Sequence, residues 1–393
     1  MGKWPSVVIA GGSIGGLTTG VLLAELGCDV NIFERSSEAL QSRGAGIVVL
    51  PITEKYFTDR GGERNRVSLR LDHWKYVSSR GDVIADRIDP YRLASWSTVY
   101  RALIDVFDSS RYHLNSRVVD VRLGPDLPAV VLDGGDVVHA DLVVCADGMA
   151  STARKVLLPG VEPSYAGYVA WRGTTPEVLL SDPALDDVRD AVIYQVLENS
   201  HMLVYAIPAD DGSIEPGRRL VNFVWYRNYP APEAFEDVMT DSAGELRTST
   251  VTPGMVRDHH ITEFLEASAA LAPTLREIVK KSSDVFVQAI FDLMSPRMAF
   301  DRTCLLGDAA FAVRPHVAAG QAKACADAWA LRDALEESGG DVPRALEVWE
   351  PRQLKLGHSV VTRSRRMGNR SQFEGTMIPG DPDWRYGLHE RSS

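Results

Sequence analysis

Basic charge is in deficit in this chain: 42 lysines and arginines stand against 53 aspartates and glutamates, a formal net charge of −11. A protein that neutralises phosphates needs a basic face, so this balance argues against a nucleic-acid or anionic-membrane binder. Long hydrophobic runs are missing as well. No stretch of about 18 apolar residues occurs, so no membrane span is expected. Met1 is followed almost at once by an apolar strand pattern, which leaves no room for a leader and makes the cytoplasm the expected address. Cysteine is scarce: Cys28, Cys145, Cys304 and Cys325 stand singly in apolar segments, without the paired spacing of a zinc site or a redox motif. They read as small buried packing residues, and no metal is expected. Repeats and low-complexity segments are absent.

What is present is ordinary globular material, 45% apolar and 24% charged over 393 residues, enough for two or three domains. Residues 7–10 and 30–33 read as fully buried strands flanking a helix over 17–26, a strand-turn-helix-strand unit. Short strands return between 111 and 146, ending in the apolar run 141–146. From about 167 to 299 the segments 192–196, 202–206 and 220–225 alternate in the manner of strands with two different faces. Helical spacing reappears over 261–281, and after 300 a strand at 303–306 precedes an Ala-rich helix over 320–337. The expected architecture is α/β: a discontinuous Rossmann-like domain (1–70, 98–165 and 297–370) with an inserted β-sheet domain (71–97 and 166–296). Residues 371–393, with Pro379-Gly380-Asp381-Pro382, read as a loosely structured tail.

Three motifs carry chemistry. In Gly11-Gly12-Ser13-Ile14-Gly15-Gly16, glycine serves where the backbone turns and where helix meets strand, and the helix N-terminus offers free N–H groups to a pyrophosphate. Ser13 stands where glycine is usual. Glu34 closes the second strand at the station of a ribose-binding carboxylate. The second motif, Asp147-Gly148 through Ser151 to Arg154, sets an acid at a strand end and a serine and an arginine on one helical face. The third, Leu306-Gly307-Asp308-Ala309-Ala310, again places a carboxylate at a strand end. Beyond it, Pro315 and Ala318-Ala319-Gly320 lead into a helix whose dipole can stabilise negative charge on a reduced flavin.

In this order and spacing the three motifs resemble those of the single-component FAD-dependent aromatic hydroxylases, the class typified by p-hydroxybenzoate hydroxylase. The segments Arg314-Pro315-His316-Val317-Ala318-Ala319-Gly320 and Asn222-Phe223-Val224-Trp225-Tyr226-Arg227-Asn228, with the Pro-Gly-Asp-Pro tail, resemble the branch acting on dihydroxypyridines. Three positions depart from the wider pattern: Phe311 replaces a histidine, Ala318 a glycine and Ala322 an asparagine.

The resemblance implies FAD, held by Gly11, Ser13, Ile14, Gly16, Glu34, Arg35, Arg43, Val118, Asp147, Asp308, Ala319 and Gly320. NADH or NADPH would dock transiently as co-substrate, since no second dinucleotide loop is visible. It further implies oxygen activation as a flavin C4a-hydroperoxide and hydroxylation of a small electron-rich ring, of the 2,6-dihydroxypyridine kind. His316 and Pro315 are the catalytic candidates, His316 because it titrates near neutral pH at the turn facing the cofactor. Tyr205, Trp225, Arg314 and His201 are the candidates for lining the substrate side. The cluster Arg363-Ser364-Arg365-Arg366 reads as a solvated helix face or an intersubunit surface, which leaves a homodimer open. An epoxidase or other oxidoreductase on the same scaffold, and a non-catalytic FAD module, remain as alternatives; the lack of a Trp-x-Trp-x-Ile-Pro run counts against a halogenase.

Overall fold

The apolar runs near residues 7–10, 30–33 and 141–146 have no polar face to turn toward water, and they become neighbours in a sheet buried on both sides. In the computed structural model, which describes residues 4–40, 46–61, 67–124 and 127–389, Ser6–Ala10 pairs in parallel with Asp29–Phe33 on one side and Leu142–Cys145 on the other. Thr303–Leu305 adds beside Leu142–Cys145, also in parallel. Ala299–Phe300 and Tyr112–His113 complete the six-stranded sheet at its two edges. The register aligns Ala10 with Cys145 and Cys145 with Leu305. All three motif loops therefore leave the same carboxyl edge, where open parallel sheets bind ligands.

A nine-stranded sheet takes in Leu69–Val77, Val83–Ser95 and strands between Ser164 and Asp292. Gly46–Val49, which lies within the segment 1–70 assigned above to the dinucleotide domain, hydrogen-bonds into this second sheet through Val83–Ser95. The helical stretch expected over 261–281 forms two helices, Asp258–Ala267 and Pro273–Lys281. Proline at the second helix's start accounts for the break. These helices cover the sheet's outer face, where Trp171 stacks on Phe264 with ring centroids 4.5 Å apart. The inner face looks toward the six-stranded sheet. The helix at Gly320–Glu337 lies where the sequence placed it.

Two expectations are corrected. Residues 373–389 are no loose tail: Trp384 is wholly buried, and Met377 and Asp381 are nearly so. Arg87 donates to the Asp381 and Trp384 carbonyls at 3.0 Å each, and the Gly387 N–H donates to Val317 O at 3.0 Å. Nor is the 363–366 cluster simply a solvated face. On the long helix Val342–Gln372, Arg363 is buried and donates to the carbonyls of Gly387 and His389, strapping the last segment down. Proline and glycine signalled an absence of regular structure there, which is compatible with tight packing.

The strand-turn-helix unit hinges on Gly16, where an added Cβ would stand 1.9 Å from the Gly11 carbonyl oxygen, a backbone atom that cannot turn aside. Gly16→Ala is expected to cost about 3 kcal/mol or more, read as a lower urea midpoint together with loss of bound flavin.

Candidate active site

The first loop is a cradle made by missing side chains. Gly11 has φ +99, and a Cβ there would lie 2.4 Å from Ala146 O, so the loops after the first two motif strands touch backbone to backbone. Ser13 caps the helix Ile14–Leu26 without a side-chain capping bond, leaving its hydroxyl for a ligand. Glu34 is buried at its strand end. One carboxylate oxygen accepts the Gly12 N–H at 2.9 Å, and the other accepts from the Ser36 N–H and hydroxyl.

The second motif locks onto the third through Arg154, whose side chain is fully buried. Its guanidinium donates to Met149 O at 2.7 Å, Val161 O at 3.1 Å and Ala309 O at 3.1 Å. Ser151 caps the short helix by accepting the Arg154 N–H at 2.9 Å. Asp147 accepts from Ala153 N–H with one oxygen and has no partner for the other; burial raises its pKa, against the opposing pull of Ser151. Asp308 opens onto the cavity described next. Enclosure by the fold pushes its carboxyl up, an effect that Lys323 opposes.

The departures from the family pattern have structural counterparts. Phe311 is buried under Lys323, whose ammonium lies 4.5 Å from the ring centroid. It fits because Gly357 has no side chain: a Cβ there would meet the ring at 2.6 Å. Ala318 takes the left-handed φ of +49 that its usual glycine would adopt freely.

A cavity of about 470 Å³ runs from the first loop to the inner face of the nine-stranded sheet. Of the residues named from the sequence, Ser13, Ile14, Asp308, Pro315, His316, Ala319, Gly320, His201 and Tyr205 line it. Gly11 and Gly16 shape its backbone wall from beneath. Glu34, Arg35 and Val118 do not line it, and Asp147 sits between two residues that do, Ala146 and Gly148: Arg35 is exposed just beyond the Glu34 strand, and Val118 pairs with Leu132 in a three-stranded sheet. Arg43 lies outside the described residues.

Trp225 and Arg314 are not where the sequence reading put them. Residues paired directly across an antiparallel ladder share a face. His201 pairs with Tyr226, Leu203 with Val224 and Tyr205 with Asn222, all toward the cavity, whereas Trp225 pairs with Met202 on the opposite face. There Trp225 packs near Phe264 and donates to Ser200 Oγ at 3.0 Å. Arg314 is buried behind the cavity wall in a two-pronged ion pair with Asp292, at 2.9 and 2.7 Å.

Arg314 acts on the site through Tyr168 and His316. The Tyr168 hydroxyl lies 2.7 Å from His316 Nε2, and the Arg314 guanidinium lies against that hydroxyl. The nearby positive charge favours the phenol oxygen turning its lone pairs toward the guanidinium and its proton toward Nε2. Burial holds the Tyr168 phenol protonated and keeps His316 well below its usual pKa, helped by His201 and Arg314. His316 is therefore neutral, with Nδ1 as its donor, and does not titrate near neutral pH as its place in the sequence suggested. Gly368 makes room for this trio, since a Cβ there would sit 2.7 Å from the Tyr168 hydroxyl and 2.9 Å from the imidazole.

Sequence reasoning missed Gln321, Arg172, Tyr194, Tyr226, Trp384 and Tyr386, all of which line the cavity. Gln321, one residue into the Gly320–Glu337 helix, has both amide atoms buried without a partner. Arg172 and Asn222 hold Gly46 in place, donating to its oxygen and accepting from its nitrogen, each at 2.8 Å. Sheet parity could have found Tyr226, given His201 and Tyr205. Asp237, His259 and His260 form a group with metal-ligand spacing, but Arg257 bonds to both Asp237 and His260 and fills that place with a cation.

Two outcomes follow from this geometry. Arg154→Lys keeps the charge but cannot span three carbonyls, so it is expected to cost about 2–4 kcal/mol and to lower the flavin content of purified protein. Burial pushes His201 down to about 3, so the unfolded chain binds its proton first as pH falls. The His201 share of stability is then complete above about 6.5 and declines by about 1.4 kcal/mol per pH unit below it, and His316, also held neutral by burial, adds to the decline. Thermal melts between pH 7 and 4.5 should show a slope of at least this size, and His201→Asn should reduce it without abolishing it.

The arrangement fits FAD: a glycine cradle at a helix N-terminus for the pyrophosphate, a carboxyl at the third strand end, and an unpartnered amide where a flavin's polar edge would lie. A family model described as FAD binding domain-like matches residues 165–292. The 2,6-dihydroxypyridine 3-monooxygenase of Paenarthrobacter nicotinovorans is 33% identical over 97% of this chain and 95% of its own length. The solved structure of 2,6-dihydroxypyridine-3-hydroxylase from Arthrobacter nicotinovorans superposes with a TM-score of 0.93 at 32% identity, covering both chains completely. The 6-hydroxynicotinate 3-monooxygenase of Bordetella bronchiseptica is 25% identical over 98% of this chain and 95% of its own. The expected α/β architecture is thus that of solved relatives, and the cofactor is FAD. With identity of this extent along the whole length, the chain belongs to the FAD-dependent aromatic-ring monooxygenases.

Proposed function

We propose that this protein is an NAD(P)H-consuming monooxygenase that uses O2 to hydroxylate a small hydroxylated pyridine of the 2,6-dihydroxypyridine type. One observation carries the reading: the flavin cradle and an aromatic box opposite it share one cavity, with Asp308 and Gln321 at one side and His201, Tyr226 and His316 at the other. The relative at 33% identity bears the matching activity in its name.

Bound flavin supplies the electrons and the oxygen chemistry. The chain's own residues hold it and keep water out. The backbone around Gly11 and Gly16 and the spare Ser13 hydroxyl receive the pyrophosphate, and Asp308 accepts from a ribityl hydroxyl. The N-terminus of the Gly320–Glu337 helix, with Gln321, would receive the flavin's pyrimidine edge and favour negative charge there. Glu34 and Arg35 would serve the adenosine end, where the Val118 backbone would contact adenine, and Asp147 would stand nearer the pyrophosphate. Across the cavity, Val224, Ile290 and Leu203 offer no group that would retain water, and they keep the reacting carbon dry. His316 turns its Nδ1–H toward a ring oxygen and orients the ring, while Pro315 fixes the turn that carries it.

Purified flavin-loaded enzyme mixed with 2,6-dihydroxypyridine is expected to oxidise NADH or NADPH faster than without it, with hydroxylated product formed in proportion. Peroxide without product would mark the compound as an effector rather than the substrate. A screen of hydroxypyridines and phenols in which none accelerates oxidation would overturn the proposal and leave a flavin-binding module.

A further inference from the structure

Residues 373–389 form a strap whose anchors come from both halves of the molecule. Arg87, on the nine-stranded sheet, holds the carbonyls of Asp381 and Trp384. From the long helix, Arg363 holds Gly387 and His389, and Arg370 pairs with Asp381. The Gly387 N–H bonds to Val317, in the very turn that carries His316. The Tyr91 hydroxyl donates to Tyr386 O at 3.2 Å, and the Tyr386 hydroxyl bonds to that of Tyr194. So fixed, the strap inserts Trp384 and Tyr386 into the cavity wall.

Trp384 is the largest side chain the strap contributes there. Its ring centroid lies 5.3 Å from His201 and 5.8 Å from His316, edge-on to both. Its indole Nε1 is buried with no hydrogen-bond partner of good geometry, and the Tyr194 hydroxyl stands beside it. His316 Nδ1, the nitrogen that carries the proton, is also buried without a partner. Two unpaired N–H donors thus sit on neighbouring rings in one cavity wall, each at a cost that an acceptor on a ligand would remove.

The charge around them is equally informative. Both histidines are held neutral by burial. Among the described residues, the one guanidinium or ammonium lining the cavity is Arg172, which bonds to Gly46 O and to Gln288 Oε1 at 3.1 Å and lies toward Tyr205 and Tyr226. A carboxylate placed beside Trp384 would meet the N–H donors of neutral rings rather than a cation, and those donors compensate its desolvation only in part.

We propose that Trp384 is a specificity-determining residue: its indole N–H, paired with His316 Nδ1–H, grips the oxygen substituents of an uncharged hydroxylated or oxo ring and turns away rings bearing a carboxylate. This rests on the reading of the protein as a ring hydroxylase and extends it to the substrate's recognition elements. The indole face supplies the stacking wall, and the strap's anchors fix its angle.

The test uses flavin-loaded full-length enzyme and follows the perturbation of flavin absorbance as 2,6-dihydroxypyridine or 3-hydroxybenzoate is added. Trp384→Phe keeps the ring and removes the donor. It should weaken dihydroxypyridine binding about tenfold or more, the worth of one hydrogen bond, with flavin content unchanged. Trp384→His, which retains a ring N–H, should recover part of the loss. On the unaltered enzyme, the carboxylated ring should bind about 100-fold more weakly than dihydroxypyridine or worse. Dihydroxypyridine turned over normally but bound equally by wild type and Trp384→Phe would overturn the assignment and leave the hydroxylase reading standing. Comparable binding of the carboxylated ring would overturn it as well. If the variants lose flavin, the wild-type comparison alone decides, and if neither ring perturbs or accelerates the wild type, both readings fall.

Discussion

A single buried guanidinium holds the cofactor side of this protein in register. Arg154 spends its donors on carbonyls from three stretches, two of them in motif loops that the sequence separates by more than a hundred residues. The parallel sheet brings those loops to one edge, but a sheet edge alone fixes neither their height nor their spacing. A rigid, always-charged fork with bonds to Met149, Val161 and Ala309 does both, and three carbonyl dipoles compensate its desolvation. The backbone contact of Gly11 with Ala146 adds the first loop to the same assembly. The cradle is therefore built before any ligand arrives, which is the condition for binding without a large ordering cost.

The substrate side depends on a different constraint, the two-residue period of a strand. Because His201, Leu203 and Tyr205 face the cavity, their ladder partners Tyr226, Val224 and Asn222 must face it too, and the intervening residues go to the outer core. Behind this wall, ion pair, phenol and imidazole are arranged in series from Asp292 to His316. Each member has one role: Asp292 neutralises Arg314, Arg314 orients the Tyr168 proton, and Tyr168 sets the tautomer of His316. The charge of this series stays at its rear, so the part of the wall that His316 presents is neutral.

The sequence was legible where local chemistry and global placement agree. Glycine loops, Asp-Gly turns and strand-end acids report the backbone directly, and the helix at Gly320–Glu337 and the strands of the parallel sheet could be read to within a few residues. Residue types at the substrate wall were harder. Trp225 looked like a binding aromatic because tryptophan is large and amphipathic, but the face it occupies is set by pairing across strands, which one strand alone does not reveal. Arg314 looked like a residue lining the substrate side, and only the fold brings Asp292 to it. Residues 373–389 were misread for a third reason: Pro and Gly forbid helix and ladder, yet Arg87 and Arg363, both distant in sequence, supply the backbone's partners there.

Three strands of the parallel sheet come from residues 6–10, 142–145 and 303–305, and much of the chain between them belongs to the second sheet and its helices. Neighbours so remote along the chain give the dinucleotide half a high contact order, and loop closure must be met before its pairing is rewarded. During synthesis the first two strands would wait, apolar edges bare, until the third has emerged. A bound yellow chromophore would then report more than occupancy of a pocket, since it marks molecules in which the most distant pairing of the sheet has been completed.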